Sequence, residues 1–128
     1  MKRIPMMLGP WYQENVAAAQ TDVAIDLNGN ASRNSMPMIR NGSVLGIAVH
    51  SNAPCTAGLL TVEATINGAG TGLTVSLDPA VHTTDNQATE NKLLDNFIPG
   101  GLIGCRITTN AGWLPITADI TVDILVEQ

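Results

Sequence analysis

Residues that could carry out catalysis are few and scattered in this chain. A hydrolase needs a nucleophile, a base and a group that orients the base, all within hydrogen-bond reach of one another. Cys55, His50 and His82, together with aspartates, offer the residue types for such a set. However, Cys55 follows Pro54 without an activating motif, and no motif with a known catalytic mechanism occurs elsewhere. We therefore predict that the protein is not an enzyme, with hydrolysis by Cys55 and His50 as a remote alternative.

The nearest approach to a metal site is the stretch DLNGNAS, which starts at Asp26. Asp26, Asn28 and Asn30 match the start of a calcium-binding loop, but the glycine stands at the fourth position instead of the sixth. Pro37 occupies the twelfth position, where such a loop needs a glutamate. A turn that ends a strand is the better interpretation. The two histidines share no metal-ligand spacing, so we predict no metal and no cofactor.

The two cysteines, Cys55 and Cys105, are too few for a disulfide framework. Cys105 alternates with Ile103 and Ile107, which predicts that it points into the core, where burial raises a thiol's pKa and lowers its reactivity. Proline and glycine interrupt the apolar start of the chain, which argues against a cleaved secretory signal. Two free thiols are therefore preferred over a single bridge.

Composition argues against two classes of partner. The 128 residues include 6 Lys plus Arg and 11 Asp plus Glu, a net charge of -5. Such a chain lacks the positive charge that binds phosphate backbones, so we expect no nucleic-acid partner. No stretch approaches the roughly 20 apolar residues of a membrane helix, so we expect no membrane partner.

Period-two alternation is the clearest signal for the elements that position these residues. In LTVEATI, Leu60, Val62 and Ile66 share one face and the polar residues share the other. The same alternation follows in LTVSL, residues 73–77, after a glycine-rich bend. We predict an antiparallel hairpin whose loop is the five-residue stretch Asn67–Thr71.

Alternation recurs in TDVAIDL, SVLGIAVHS, GLIGCRITT and ADITVDILVE, with weaker candidates at 36–40 and 88–94. Segments rich in helix formers, at 13–20 and 90–96, are too short for a helix to stand alone. Short strands separated by regular turns indicate a sandwich or barrel. We predict an all-β fold, an antiparallel and jelly-roll-like β-sandwich of about eight strands over residues 21–128.

Residues 1–20 are predicted to form an extended N-terminal arm, because they are apolar but show no alternation. Side chains this apolar must pack against their own domain or against a neighbouring surface, and both possibilities stay open. On the second of these, the arm supplies the candidate partner-binding residues: Ile4, Met6, Met7, Leu8, Trp11 and Tyr12.

A second candidate site is the loop NAGWLP, which contains Trp113. Sugar recognition usually relies on exposed aromatic rings, and the chain is only 3% aromatic. Trp113 is the best candidate for a ligand-binding ring. The alternative is that this tryptophan caps the core of the sandwich.

The hairpin TAGLLTVEATINGAGTGL and the ending TTNAGWLPITADITVDILVE, within residues 43–127, resemble small jelly-roll domains of tailed-bacteriophage virions. These domains include capsid decoration (cement) proteins, head fibres and tail or collar modules. No catalytic or metal residues belong to the pattern. The resemblance implies a structural protein of the virion, made in the host cytoplasm.

Within that family, a capsid decoration protein is the first expectation. It implies a homo-oligomer, most simply a homotrimer, that binds the major capsid protein or other virion proteins on the outside of the head. The alternative is a tail-fibre, head-fibre or collar module that binds a host receptor glycan. A plain sandwich subunit of a larger assembly, without a specific ligand, fits the same sequence features.

Overall fold

A computed structural model describes residues 3–128, which form eleven β-strands and no helix. Within this range there is accordingly no helix long and apolar enough to cross a membrane. The strands are β1 (Pro5–Gln13), β2 (Val23–Ala24), β3 (Asp26–Leu27), β4 (Ser35–Pro37), β5 (Gly42–Ser51), β6 (Leu60–Ile66), β7 (Ala69–Leu77), β8 (Asp85–Thr89), β9 (Asp95–Phe97), β10 (Leu102–Thr109) and β11 (Ile120–Glu127).

The strands form two antiparallel sheets, which confirms the predicted all-β sandwich. The first sheet has the order β3-β1-β11-β5-β8, and β9 also pairs with β5. The second sheet has the order β2-β10-β6-β7, and β4 also pairs with β10. The count of eleven exceeds the predicted eight because two long runs are interrupted: β2 to β4 form one, and β8 with β9 form the other.

With each interrupted run counted once, the strand order is that of a jelly roll. The first and last runs, β1 and β11, lie side by side in the first sheet, next to β5 and then β8 with β9. The second sheet carries the remaining runs, and only β3 leaves its own run to join the first sheet. The two ends of the chain therefore pair with each other inside the first sheet, between β3 and β5.

Alternate residues of the long strands fill the core between the sheets. In β11, Ile120, Val122, Ile124 and Val126 are fully buried, while the residues between them are partly exposed. This is the predicted period-two pattern. Each fully buried aliphatic side chain contributes roughly 1.5–3 kcal/mol relative to an exposed one.

The hairpin of β6 and β7 has a tighter turn than predicted. Its loop is the pair Asn67-Gly68, with φ of 53° and 81°, rather than five residues. These left-handed angles suit a two-residue type I′ turn, for which Asn-Gly is the preferred sequence. Pairing continues through Ile66–Ala69 and shifts register between Glu63 and Thr65. The predicted five-residue loop is wrong because this irregularity interrupts the alternation.

The N-terminal segment is extended, as predicted, but in the described part it is a strand of the sandwich. β1 lies between β3 and β11 and pairs with both. Its register against β11 shifts between Leu8 and Trp11, which explains why the segment shows no regular alternation. Residues 5–13 therefore belong to the sandwich and do not form a free arm that ends at residue 20. Met1 and Lys2 lie outside the described residues.

Three strand predictions need correction, and two of them are the weaker candidates. The stretch TDVAIDL is not one strand, because β2 joins the second sheet and β3 the first. The crossing leaves Val23 exposed while Ile25 is buried between the sheets. The candidate at 36–40 is shifted to Ser35–Pro37, and the candidate at 88–94 ends at Thr89, where a loop interrupts the run.

Candidate functional site

The residues predicted to bind a partner from the arm divide into two groups. Leu8 and Trp11 belong to the core, and Trp11 Nε1 donates a hydrogen bond to the Asn34 carbonyl oxygen at 3.1 Å. Tyr12 is half-buried. The exposed group lies at the start of β1 and just before it: Ile4 (57% exposed), Met6 (38%) and Met7 (59%).

These exposed side chains stand on a backbone that the sheet holds in place. Ile4 exchanges two backbone hydrogen bonds with Gln128, at 3.0 and 3.2 Å. Met7 pairs with Leu125 of β11, on the face of the first sheet that points away from the core. An apolar group on a fixed backbone loses little further conformational freedom when a partner covers it.

Further exposed apolar side chains come from loops at the same end of the sandwich. Ser43 joins these loops to the chain start, because its Oγ accepts hydrogen bonds from Arg3 Nη1 at 3.1 Å and from the Leu93 amide at 3.2 Å. A shallow cavity of about 410 Å³ lies between Arg3, Ile39 and Pro99. We call this region the apolar end surface, formed by Ile4, Ile39, Leu93, Leu94 and Ile98.

Basic side chains accompany this surface in an otherwise acidic protein. Arg3 and Arg40 line the shallow cavity, and Lys92 lies on the loop that carries Leu93. Arg3 also approaches Glu127, with 3.7 Å between Nη1 and Oε1. Apolar groups bordered by cations favour a protein partner whose surface combines apolar and acidic residues.

Two carboxyl groups, which the sequence reasoning missed, lie at the base of the same loop. Glu90 Oε2 and Asp95 Oδ2 are enclosed, and among the described residues neither atom has a hydrogen-bond partner. Burial, together with the neighbouring Asp95 carboxyl, raises the pKa of Glu90 to about 7. The pairing was not predictable from sequence, because the loop that brings the two residues together was assigned to a strand.

Trp113 does not offer an exposed ring. Its side chain is fully buried, and Nε1 donates a hydrogen bond to the Val16 carbonyl oxygen at 3.0 Å. It takes the alternative role of capping the core. Trp11 and Phe97 are also buried, so Tyr12 is the only aromatic side chain among residues 3–128 with appreciable exposure.

A polar groove lies on the outer face of the first sheet. His50 and His82 line this space of about 450 Å³ together with Asp123, and His50 Nδ1 lies 2.6 Å from Asp85 Oδ1. Burial raises the pKa of Asp123. The groove is open to solvent and brings no nucleophile to the histidines, since Cys55 is not among its lining residues.

The thiols are both free and both buried. The Cys55 sulfur donates to the Ala57 carbonyl oxygen at 3.4 Å, and burial raises the pKa of this thiol. Burial also raises the pKa of Cys105 well above its ordinary value, as its predicted core position requires. High thiol pKa values oppose formation of the reactive thiolate.

The turn at DLNGNAS follows β3, as predicted. Asn28 and Gly29 have positive φ, and Asn30 Oδ1 accepts a hydrogen bond from the Ser32 amide at 3.1 Å. Across residues 3–128, no group of three or more His, Cys, Asp and Glu side chains is placed to hold a metal ion.

No family model matches this chain, and a search of the curated proteins finds no match. The likeness to virion proteins therefore stays a prediction from the sequence. What the fold adds is an apolar end surface, fixed on a stiff sandwich.

Proposed function

We propose that this protein is a non-enzymatic structural protein of a phage virion, which decorates the outside of the head through the apolar end surface and the exposed side chains of Met6 and Met7 beside it. The observation that carries the proposal is the exposure of Ile4, Met6 and Met7 on a backbone that β11 and Gln128 hold in place. A stiff domain with an adhesive surface and little reactive chemistry suits a protein whose task is to hold a shell together.

Contact through only a few exposed apolar side chains of one copy binds weakly. Covering an exposed aliphatic side chain contributes roughly 1.5–3 kcal/mol, whereas association costs about 4–15 kcal/mol in lost freedom of motion. Several linked copies overcome this cost by raising the effective concentration of each further contact. This is why the proposal includes a homotrimer bound to the major capsid protein.

The alternative of a fibre or collar module that binds a glycan loses its main support. Trp113 is buried, and Tyr12 is the only partly exposed aromatic residue in the part of the chain that the structure describes. We retain glycan binding as an outcome of the test and not as a second proposal.

The test compares two sets of substitutions on opposite ends of the sandwich. The double variant Ile4→Ser, Met7→Ser removes two apolar contacts, and we expect it to bind phage heads that lack decoration protein at least about tenfold more weakly. The matched control is Val81→Ser, because Val81 is 75% exposed and lies beyond Leu77 at the far end of β7. Binding is measured by cosedimentation, with circular dichroism to check folding.

Two outcomes contradict the proposal. One is equal binding of the double variant and the wild type to heads. The other is binding of the wild type to glycans on an array without any binding to heads, which would support the fibre alternative. Light scattering after size-exclusion chromatography tests the trimer separately.

A further inference from the structure

The loop between β8 and β9 is anchored at both ends to the same strand. The Glu90 amide donates a hydrogen bond to the Leu45 carbonyl oxygen at 2.9 Å, and Asp95 pairs with Val44. The chain therefore leaves β5 and returns to it at the neighbouring residue. Leu93 and Leu94, which lie between these anchors, are exposed on the apolar end surface.

The side chains at the two anchors meet. Asp95 is the neighbour that, after burial, raises the pKa of Glu90, and Glu90 Oε2 and Asp95 Oδ2 are both enclosed without a hydrogen-bond partner among the described residues. Two ionised carboxylates have no hydrogen to donate to each other. A proton on one of the groups lets that group donate to the other. Such a proton supplies a partner for the enclosed oxygens Glu90 Oε2 and Asp95 Oδ2, which have none among the described residues.

We propose that Glu90 and Asp95 share one proton, and that this proton closes the loop that carries Leu93 and Leu94. Loss of the proton places two negative charges side by side in an enclosed space, which favours opening. The backbone adds to this tendency, because Leu93 has a φ of 70°, a left-handed conformation that is unfavourable for a residue other than glycine. The closed loop therefore depends on the contacts at its base.

The nearby cations do not partner the two enclosed oxygens, which have no hydrogen-bond partner among the described residues. Lys92 lies on the loop itself, and Arg3 contacts the same Ser43 hydroxyl as the Leu93 amide. Both are cations, which lower the pKa of a nearby carboxyl. Glu127 pairs with Arg3, the only ionisable residue of β5 is His50 near its far end, and β7 has no ionisable residue.

The direction of the pH effect follows from the pKa of Glu90. Burial and then Asp95 raise it from its ordinary value of 4.5 to about 7. The closed loop thus holds the proton more tightly than the open loop does. Closure is fully favoured below about pH 4.5 and is lost as the pH rises through about 7.

The experiment uses the isolated protein, so that it does not depend on the proposed function. Amide hydrogen exchange of Leu93 and Leu94 is followed by NMR at about pH 5.5 and about pH 8.5 and corrected for the intrinsic exchange rates. We expect protection to fall about tenfold between these values. In Glu90→Gln, which keeps a neutral side chain of the same size, protection should not change with pH.

Two variants keep the test decisive. Asp95→Asn should abolish the pH dependence as Glu90→Gln does, whereas Glu14→Gln, which removes an exposed carboxyl elsewhere, should leave it intact. The inference is overturned if both Glu90→Gln and Asp95→Asn retain the wild-type pH dependence, or if the side-chain carbon of Glu90 titrates near 4.5 in NMR.

Use of this loop in docking rests on the proposed function and has its own measurement. If Leu93 and Leu94 contact the head, wild-type binding should weaken as the pH rises through about 7, and Glu90→Gln should bind equally at both pH values. If the loop opens as the pH rises but binding to heads does not change, the shared proton is supported and the loop is not part of the docking surface.

Discussion

At the scale of single residues, the two tryptophans show how burial decides a role that residue type leaves open. Trp113 and Trp11 are fully buried, and each gives its ring N–H to a backbone carbonyl, of Val16 and Asn34 respectively. These hydrogen bonds join distant parts of the chain. Neither ring presents a face to a ligand, so both tryptophans stabilise the sandwich.

We expect Trp113→Phe to destabilise the protein by about 1–3 kcal/mol, because the Val16 carbonyl oxygen loses its partner in a buried place. Urea unfolding measures this as a lower midpoint at an unchanged slope. The control is Leu114→Ala, since Leu114 is 48% exposed and should change stability by no more than about 0.5 kcal/mol. Wild-type stability of Trp113→Phe would show that the hydrogen bond contributes nothing.

At the scale of elements, two glycines are required for different reasons. Gly68 completes the Asn-Gly turn with a φ of 81°, and a side chain added there meets no atom within 4 Å. Gly42 starts β5 with no left-handed angle, but an added Cβ would collide with the Glu127 carbonyl oxygen and the Phe97 ring. Glycine is required at position 68 for its backbone conformation, and at position 42 because there is no room for a side chain.

Substitution by alanine should separate these two causes. We expect Gly68→Ala to cost about 1–2 kcal/mol, the penalty of a left-handed angle for a residue with a side chain. Gly42→Ala should cost more, because a collision with backbone requires the strand to move. Thermal melts of the two variants make the comparison, and equal losses would contradict it.

At the scale of the whole molecule, β1 makes the N-terminus part of the core. It pairs with β3 and β11 and supplies Leu8 and Trp11 to the space between the sheets. The proposed binding by the exposed residues and the stability of the fold therefore depend on the same N-terminal segment.

Deletion of residues 1–13 should thus unfold the protein and not merely detach an arm. Loss of a buried tryptophan alone costs about 3–5 kcal/mol, which is a large part of the stability of a small domain. Circular dichroism and size-exclusion chromatography should show lost β-structure or aggregation, while Ile4→Ser stays folded. A folded, monodisperse deletion variant would mean that β1 is dispensable for the sandwich.

Period two alone was enough to identify the all-β sandwich and the burial of Ile120, Val122 and Ile124, because alternation is a local property of a strand. The turn after β3 was also predictable, since Asn and Gly favour left-handed angles whatever surrounds them. Only the tertiary structure placed β1 inside the first sheet, buried Trp113 and brought Glu90 to Asp95. Those outcomes depend on partners far away in the chain, whose pairing no local pattern specifies.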